Sequence, residues 1–208
     1  MLALSALGKT KELLATLDSL NPGQVDLNAS TAEVMAEALS EARAHGQQTT
    51  AVRLEVTLRA AIPRFSGPFR GATFDHVAYA LATLGDWPRL RQVADTLART
   101  HPLDEASPLG LLGLAAAKLG DTATVKDANL RLEAVLRRRG NGPVDDVLEA
   151  QALIAAALGE RERAVALLRS TSAGGTDALT FVHGWHTSPI FPLVRDYPPF
   201  QELLKPRD

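Results

Sequence analysis

Apolar positions recur every three to four residues along most of this chain, the interval at which side chains line one face of a helix. The pattern is sharpest from Leu109 to Arg139, LGLLGLAAAKLGDTATVKDANLRLEAVLRRR. That stretch reads as two helices folded back on each other at Gly120-Asp121. The first, Leu111 to Leu119, is rich in Ala and Leu. The second begins at Asp121 or Thr122, both suited to an N-cap, and carries Val125, Leu132, Val135 and Leu136 at helical spacing.

This unit recurs. Gly8, Gly46, Gly85, Gly120 and Gly159 are separated by 38, 39, 35 and 39 residues. Seven residues before each stand Met1, Leu39, Ala78, Gly113 and Ala152. Five after stand Leu13, Ala51, Leu90, Val125 and Ala164; twelve after stand Leu20, Leu58, Leu97 and Leu132, with Thr171 breaking the series. Leu7, Leu84, Leu119 and Leu158 directly precede their glycines, and His45 is the exception. Such offsets suit two helices that meet at a turn and show each other an apolar face. Glycine takes the positive φ of that turn without steric cost.

The predicted pairs are Leu2 to Leu7 with Lys9 to Leu20, Ser30 to His45 with Gln47 to Ala61, and Phe74 to Leu84 with Trp87 to Thr100. Pro108 to Leu119 with Thr122 to Arg139, and Val144 to Leu158 with Arg161 to Ser170, complete them. One thin pair cannot bury its own apolar face, so a period of this length predicts a stacked array. Pro63 and Pro102, each 17 residues after its glycine, mark the ends of second helices. Ser30 and Glu33 suit a capping box, and Pro143 with Asp145 and Asp146 suits a helix start. Residues 21–29 are turn-rich, and residues 62–72, IPRFSGPFRGA, form a loop bearing arginines and phenylalanines. Met1 to Leu7 reads as half of a hairpin, as in a piece of a longer protein.

After Ser170 the sequence SAGGT reads as a break. Residues 177–204 then hold five of the ten aromatics, Phe181, Trp185, Phe191, Tyr197 and Phe200. This segment suits a cap over the last exposed face, closing with a helix from about Pro199 to Leu204. The organisation expected is an array over 1–170 and a capping segment over 171–208.

The offsets resemble the tetratricopeptide repeat, in which a small first-helix residue, a turn glycine, an alanine five further on and a closing proline stand in this order. Gly113, Gly120 and Val125 match in the fourth unit, and Gly85, Leu90 and Pro102 in the third. The period here exceeds the family's usual length of about 34, and Leu or Val often replaces the alanine. The string SPIFPLVRDYPPFQELLKP also resembles the ends of bacterial tetratricopeptide arrays attached to serine/threonine kinases, adenylate cyclases and winged-helix regulators. Phe191, Val194, Arg195, Pro198, Phe200, Leu203 and Leu204 carry that likeness. The resemblance implies an all-α fold, a right-handed α-α superhelix of about four and a half helical hairpins with an aromatic-rich C-terminal cap.

Composition narrows the chemistry. Hydrophobic residues make up 46% and charged residues 22% of the 208, enough apolar surface to offset chain entropy. A net charge of -2 gives no general attraction to nucleic acid or acidic membranes. The absence of cysteine excludes disulfides, thiolate-ligated zinc and thiol nucleophiles. The most apolar window, Leu109 to Ala117, falls short of the roughly 18 residues a membrane helix needs. MLALSALGK lacks the basic residue that opens a signal peptide. The expectation is a cytoplasmic chain without membrane insertion.

His183 and His186 would put two imidazoles on one helical face, with no third ligand in view. SAGGTD at 172–177 has neither a preceding strand nor a following lysine to make a phosphate loop, and reads as a linker. Asp145 and Asp146 are adjacent and diverge on a helix. Arg137, Arg138 and Arg139 sit at a helix end, where the dipole favours cations; a phosphate or RNA contact is the alternative. Arg64, Phe65, Phe69 and Arg70 either plug a seam between pairs or offer a stacking surface to a ligand. No G-x-S-x-G, H-E-x-x-H or phosphate-binding loop motif is present. No catalytic residue, cofactor or metal is therefore assigned.

In the family resemblance, first helices line a concave surface that binds extended peptides or partner helices. Carrying those positions over singles out Arg43, Asp75, Tyr79, Lys118, Glu149 and Leu153 as partner-binding residues. The recurring asparagine, lysine and arginine set that holds a peptide carboxylate is not visible. The function expected is a non-catalytic protein-protein interaction scaffold, a regulatory or signalling arm of a bacterial multidomain protein. The alternative is a small-molecule sensor or intramolecular regulatory domain acting through the 62–72 loop. An enzyme would require ionisable groups with mutually perturbed pKa gathered in a cleft.

Overall fold

Repeated leucine–glycine punctuation sets the helix ends. The computed structural model describes residues 29–62, 72–100, 106–140, 142–173, 191 and 193–205, with Glu12 and Ala15. Within them Gly46, Gly85, Gly120 and Gly159 all adopt left-handed φ, between 68° and 78°. At Gly120 the amide of Asp121 donates to Ala116 O (2.9 Å) and that of Gly120 to Ala117 O (3.2 Å). This double closure uses two carbonyls that a helix end otherwise leaves without partners. The same pair of bonds closes the helices before Gly46 (to Ala42 and Arg43) and Gly159 (to Ala155 and Ala156). The residue after the glycine can then start the next helix. Asp121 accepts from the Thr124 amide (3.0 Å), and Asp86 accepts from the Arg89 amide (3.3 Å).

Nine helices result among the described residues: α1 Ala29–Ala44, α2 Gln48–Ala61, α3 Ala72–Leu84, α4 Trp87–Thr100, α5 Ala106–Lys118, α6 Thr122–Arg139, α7 Asp145–Ala157, α8 Arg161–Ala173 and α9 Pro198–Leu203. The described fold is all-α, with no strand among these residues. All nine helices start within two residues of the predicted starts. The first predicted pair (Glu12 and Ala15 apart), residues 63–71, Pro102, and the capping segment through residue 190 lie outside the described residues. Two local expectations are corrected. Helix α1 already contains Ala29, so Ser30 does not stand at its N-cap, and Glu33 pairs with His76 instead of closing a capping box. Helix α8 runs on past Ser170 to Ala173, with Thr171 Oγ1 donating back to Leu168 O (2.7 Å).

Packing sorts the helices into two units, one of α1, α2 and α3 and one of α4 to α9. In the first, α1 packs against both α2 and α3. Leu39, Ala51, Leu58 and Ala78, the residues at the recurring offsets, are buried there. Its polar fastening is the end of α3. Arg43 donates to Thr83 O (2.6 Å), Arg59 donates to Leu84 O (3.1 Å), and Glu55 accepts from both guanidiniums. Two cations at a helix C-terminus oppose its negative dipole end and take its free carbonyls.

In the second unit α5 packs against α4, α6 and α7, and α7 against α5 and α8. Leu109, Val125, Ala128, Leu132, Val135, Val147, Ala150 and Ile154 form the central cluster. Helices α5 and α7 approach so closely that an ideal Cβ on Gly110 would stand 2.7 Å from Ala150 Cβ and 2.8 Å from Ala150 Cα. Polar contacts tie neighbouring second helices: Arg131 donates to Ala98 O (3.1 Å), and Arg91 pairs with Asp121 (2.7 Å). At the far end, buried Phe191, Val194, Phe200 and Leu203 gather where α9 packs on α8, with the two phenylalanine rings 5.9 Å apart. The closing helix thus forms one residue earlier than the sequence predicts.

Candidate interaction face

First helices carry the candidate residues, and each unit presents its own. In the first unit α1 and α3 lie against each other. Glu33, Glu37 and Glu41 recur at four-residue intervals on α1, so all three share one face. His76, Tyr79 and Thr83 do the same on α3 at intervals of three and four. The two rows meet. Glu33 Oε2 lies 2.5 Å from His76 Nδ1, an ion-pair approach without hydrogen-bond alignment. Tyr79 shares a hydrogen bond with the Ser40 hydroxyl, and Ser40 in turn donates to Ala36 O (3.0 Å). Burial, with the Glu37, Glu41 and Glu33 charges behind it, pushes the Tyr79 hydroxyl up to about 12. Burial likewise pushes the Glu37 carboxyl up to about 7, aided by the Glu33 and Glu41 carboxylates. Glu41 is almost fully covered and lies 3.4 Å from His45 Nε2.

The six residues singled out from the sequence have different fates. Arg43 is committed to Thr83 O and Glu55, so its guanidinium fastens α3. Asp75 lies on α3, and its side chain is outside the described residues. Tyr79 is half-buried in the acidic row. In the second unit Lys118 is half-buried with its Nζ 6.0 Å from the centre of the Trp87 ring, and burial lowers its pKa. Glu149 and Leu153 are half-buried on α7, one helical turn apart on one face. Sequence reasoning missed Glu33, Glu37 and His76. The four-residue spacing of the glutamates was a usable signal.

Other candidates resolve toward structure. Arg139 makes a two-pronged pair with Asp146 (2.5 and 2.9 Å) and donates to Pro143 O (3.1 Å), and Arg137 lies 3.8 Å from Glu133. Arg137 and Arg139 of that run therefore have carboxylate partners. His183, His186 and the 63–71 loop lie outside the described residues. Among the described residues, no three His, Asp or Glu side chains are placed to share a metal ion, and no helix is long and apolar enough to cross a membrane. The ionisable row on α1 and α3 meets one condition for acid/base chemistry, a carboxyl poised near neutrality. The Ser40 hydroxyl beside it gives its proton to its own helix at Ala36 O. Comparison of the chain with protein-family models, curated proteins and solved structures returns no match.

Proposed function

We propose that this chain is a non-catalytic interaction module of tetratricopeptide-like hairpins wound as a right-handed array, which docks a peptide or a partner helix along its first helices. One observation carries the reading. Successive first helices pack directly on each other, α1 on α3 and α5 on α7, and along them stand half-buried side chains of mixed chemistry rather than a finished core. Tyr79, Glu149 and Leu153 are of this kind, offering an aromatic, a charge and an aliphatic group on preformed helices. A rigid helical face lowers the ordering cost of binding. A regulatory or signalling arm of a bacterial cytoplasmic protein is the role that suits such a module.

The test is selection of binders from a random peptide display on the whole chain, followed by titration against variants. Tyr79→Ala should weaken peptides that bind the first unit, and Leu153→Ala those that bind the second, each by about tenfold. Val52→Ala, on the exposed side of α2, should leave it unchanged. Peptides that bind equally well to all three variants, or a selection that enriches none, refute the proposal.

A further inference from the structure

The acidic row on the first unit asks for an explanation independent of any partner. Glu33, Glu37 and Glu41 line one side of α1; on α3, His76 stands against Glu33 and Tyr79 lies near enough to feel all three charges. Three carboxylates a helical turn apart repel each other, and partial burial raises that cost by removing water. Among the described residues the side chains able to relieve it are few. His76 lies beside Glu33 and His45 beside Glu41. Tyr79 holds its proton and offers no positive charge, and Arg43 is turned to Glu55 and the end of α3. From α2, Glu55 faces Arg43 and Arg59. The middle carboxyl, Glu37, is left with a glutamate on either side.

We propose that the Glu33–Glu37–Glu41 row is a proton-sensitive joint between α1 and α3, closed when the middle carboxyl carries a proton and loosened when it loses it. The direction follows from thermodynamic linkage. Burial, the Glu33 charge and the Glu41 charge hold Glu37 up to about 7 against an ordinary 4.5. The folded unit therefore keeps a proton at pH values where the unfolded chain has released it. Its contribution to stability is complete below the ordinary carboxylate range and drains away as pH rises to about 7 and beyond.

Hydrogen exchange of α1 and α3 amides in the full chain reads this directly. After correction for intrinsic exchange, the opening equilibrium of these helices should rise by about tenfold between pH 5.5 and 8 in the wild type. Glu37→Gln keeps the shape of the protonated side chain and both histidines, so it should abolish most of that rise and match the low-pH wild type at pH 8. An equal rise in Glu37→Gln would assign the effect to His45 or His76 and overturn the proposal. Should that variant fail to fold, carboxyl-carbon NMR of wild-type glutamates decides instead. A Glu37 midpoint above 6 supports the joint, and a midpoint in the ordinary carboxylate range refutes it.

Discussion

Replacing Gly110 by alanine sets two large effects against each other, and the structure says which one wins. Alanine is the better helix former by about 1 kcal/mol at an interior position, and α5 would gain that in isolation. In the folded chain the new methyl would lie 2.7 Å from Ala150 Cβ and 2.8 Å from Ala150 Cα. Carbon atoms at rest stand about 3.5–4.0 Å apart, so α7 must retreat by roughly 1 Å. The obstructing Cα is backbone and cannot rotate aside. Retreat would also open gaps around Ile154, Val147 and Leu109, all in the same cluster. Overpacking costs typically about 1–3 kcal/mol, and the backbone obstruction puts Gly110→Ala at the upper end. Less the gain in helix propensity, the net is a loss of about 2 kcal/mol. At about 2–4 °C per kcal/mol for a chain of this size, the midpoint falls by roughly 4–8 °C. Urea unfolding followed by circular dichroism measures it. Gly113→Ala makes the control, since its Cβ would meet only side-chain atoms of Ile154 within 3 Å, which a rotamer change can move. Its loss should be smaller. Ala150→Gly should rescue Gly110→Ala only in part, because the obstruction by the Ala150 backbone stays. A Gly110→Ala protein as stable as the wild type would mean that α5 and α7 do not lie this close.

Arg43→Ala should cost about 1 kcal/mol, because Thr83 O loses a charge-assisted bond while the guanidinium's own exposure limits its worth; faster amide exchange in the last turn of α3 reports it. Phe200→Ala should cost about 3–5 kcal/mol and raise exchange in α8 and α9 before α4, since Phe200 is fully buried against Phe191 where α9 meets α8. Asp121 is held below the usual carboxylate range, first by the Thr124 amide, so its cap contributes above that range and is lost as pH falls through it. Asp121→Asn should keep α6 capped and remove that acid sensitivity, whereas Asp121→Ala should lower the melting temperature at neutral pH. An acid limb unchanged in Asp121→Asn would count against the cap.

The hairpin period was legible because it rests on local physics. A left-handed glycine and a core residue five and twelve positions later are written within 20 residues of each other, and the described copies are buried as expected save Thr171. The residue before the glycine was a poorer guide. Leu119 and Leu158 recur in sequence yet are exposed, since a helix's last residue need not face the core. The candidate site was legible only in part. Arg43 reads as a partner-binding residue in sequence, but its acceptors are Thr83 O, 40 residues away, and Glu55. Lys118 meets Trp87 across a similar gap. Pairings of that reach follow from packing, and spacing within one helix does not encode them. The glutamate row was half legible: its interval lies in the sequence, whereas its burial follows from packing that spacing does not encode.

The division of labour between first and second helices follows from how many neighbours each must meet. Helix α5 has three, and every residue from Pro108 to Ala116 on it is buried. Helix α6, longer by five residues (18 against 13), buries only Val125, Ala128, Leu132 and Val135. A helix enclosed on three sides can approach its neighbours only with small residues, which is why α5 reads LGLLGLAAA and α7 reads ALIAAA. A helix with one covered side is free to spend the rest of its surface on charge, and α6 carries Lys126, Asp127, Arg131, Glu133 and the Arg137–Arg139 run. Under the docking proposed above, selectivity along α5 and α7 would come from the few positions that packing leaves half covered. On α5 and α7 these include Lys118, Glu149 and Leu153. Lys118 is already drawn to the Trp87 ring, so in that docking a partner must compete with the ring for its ammonium.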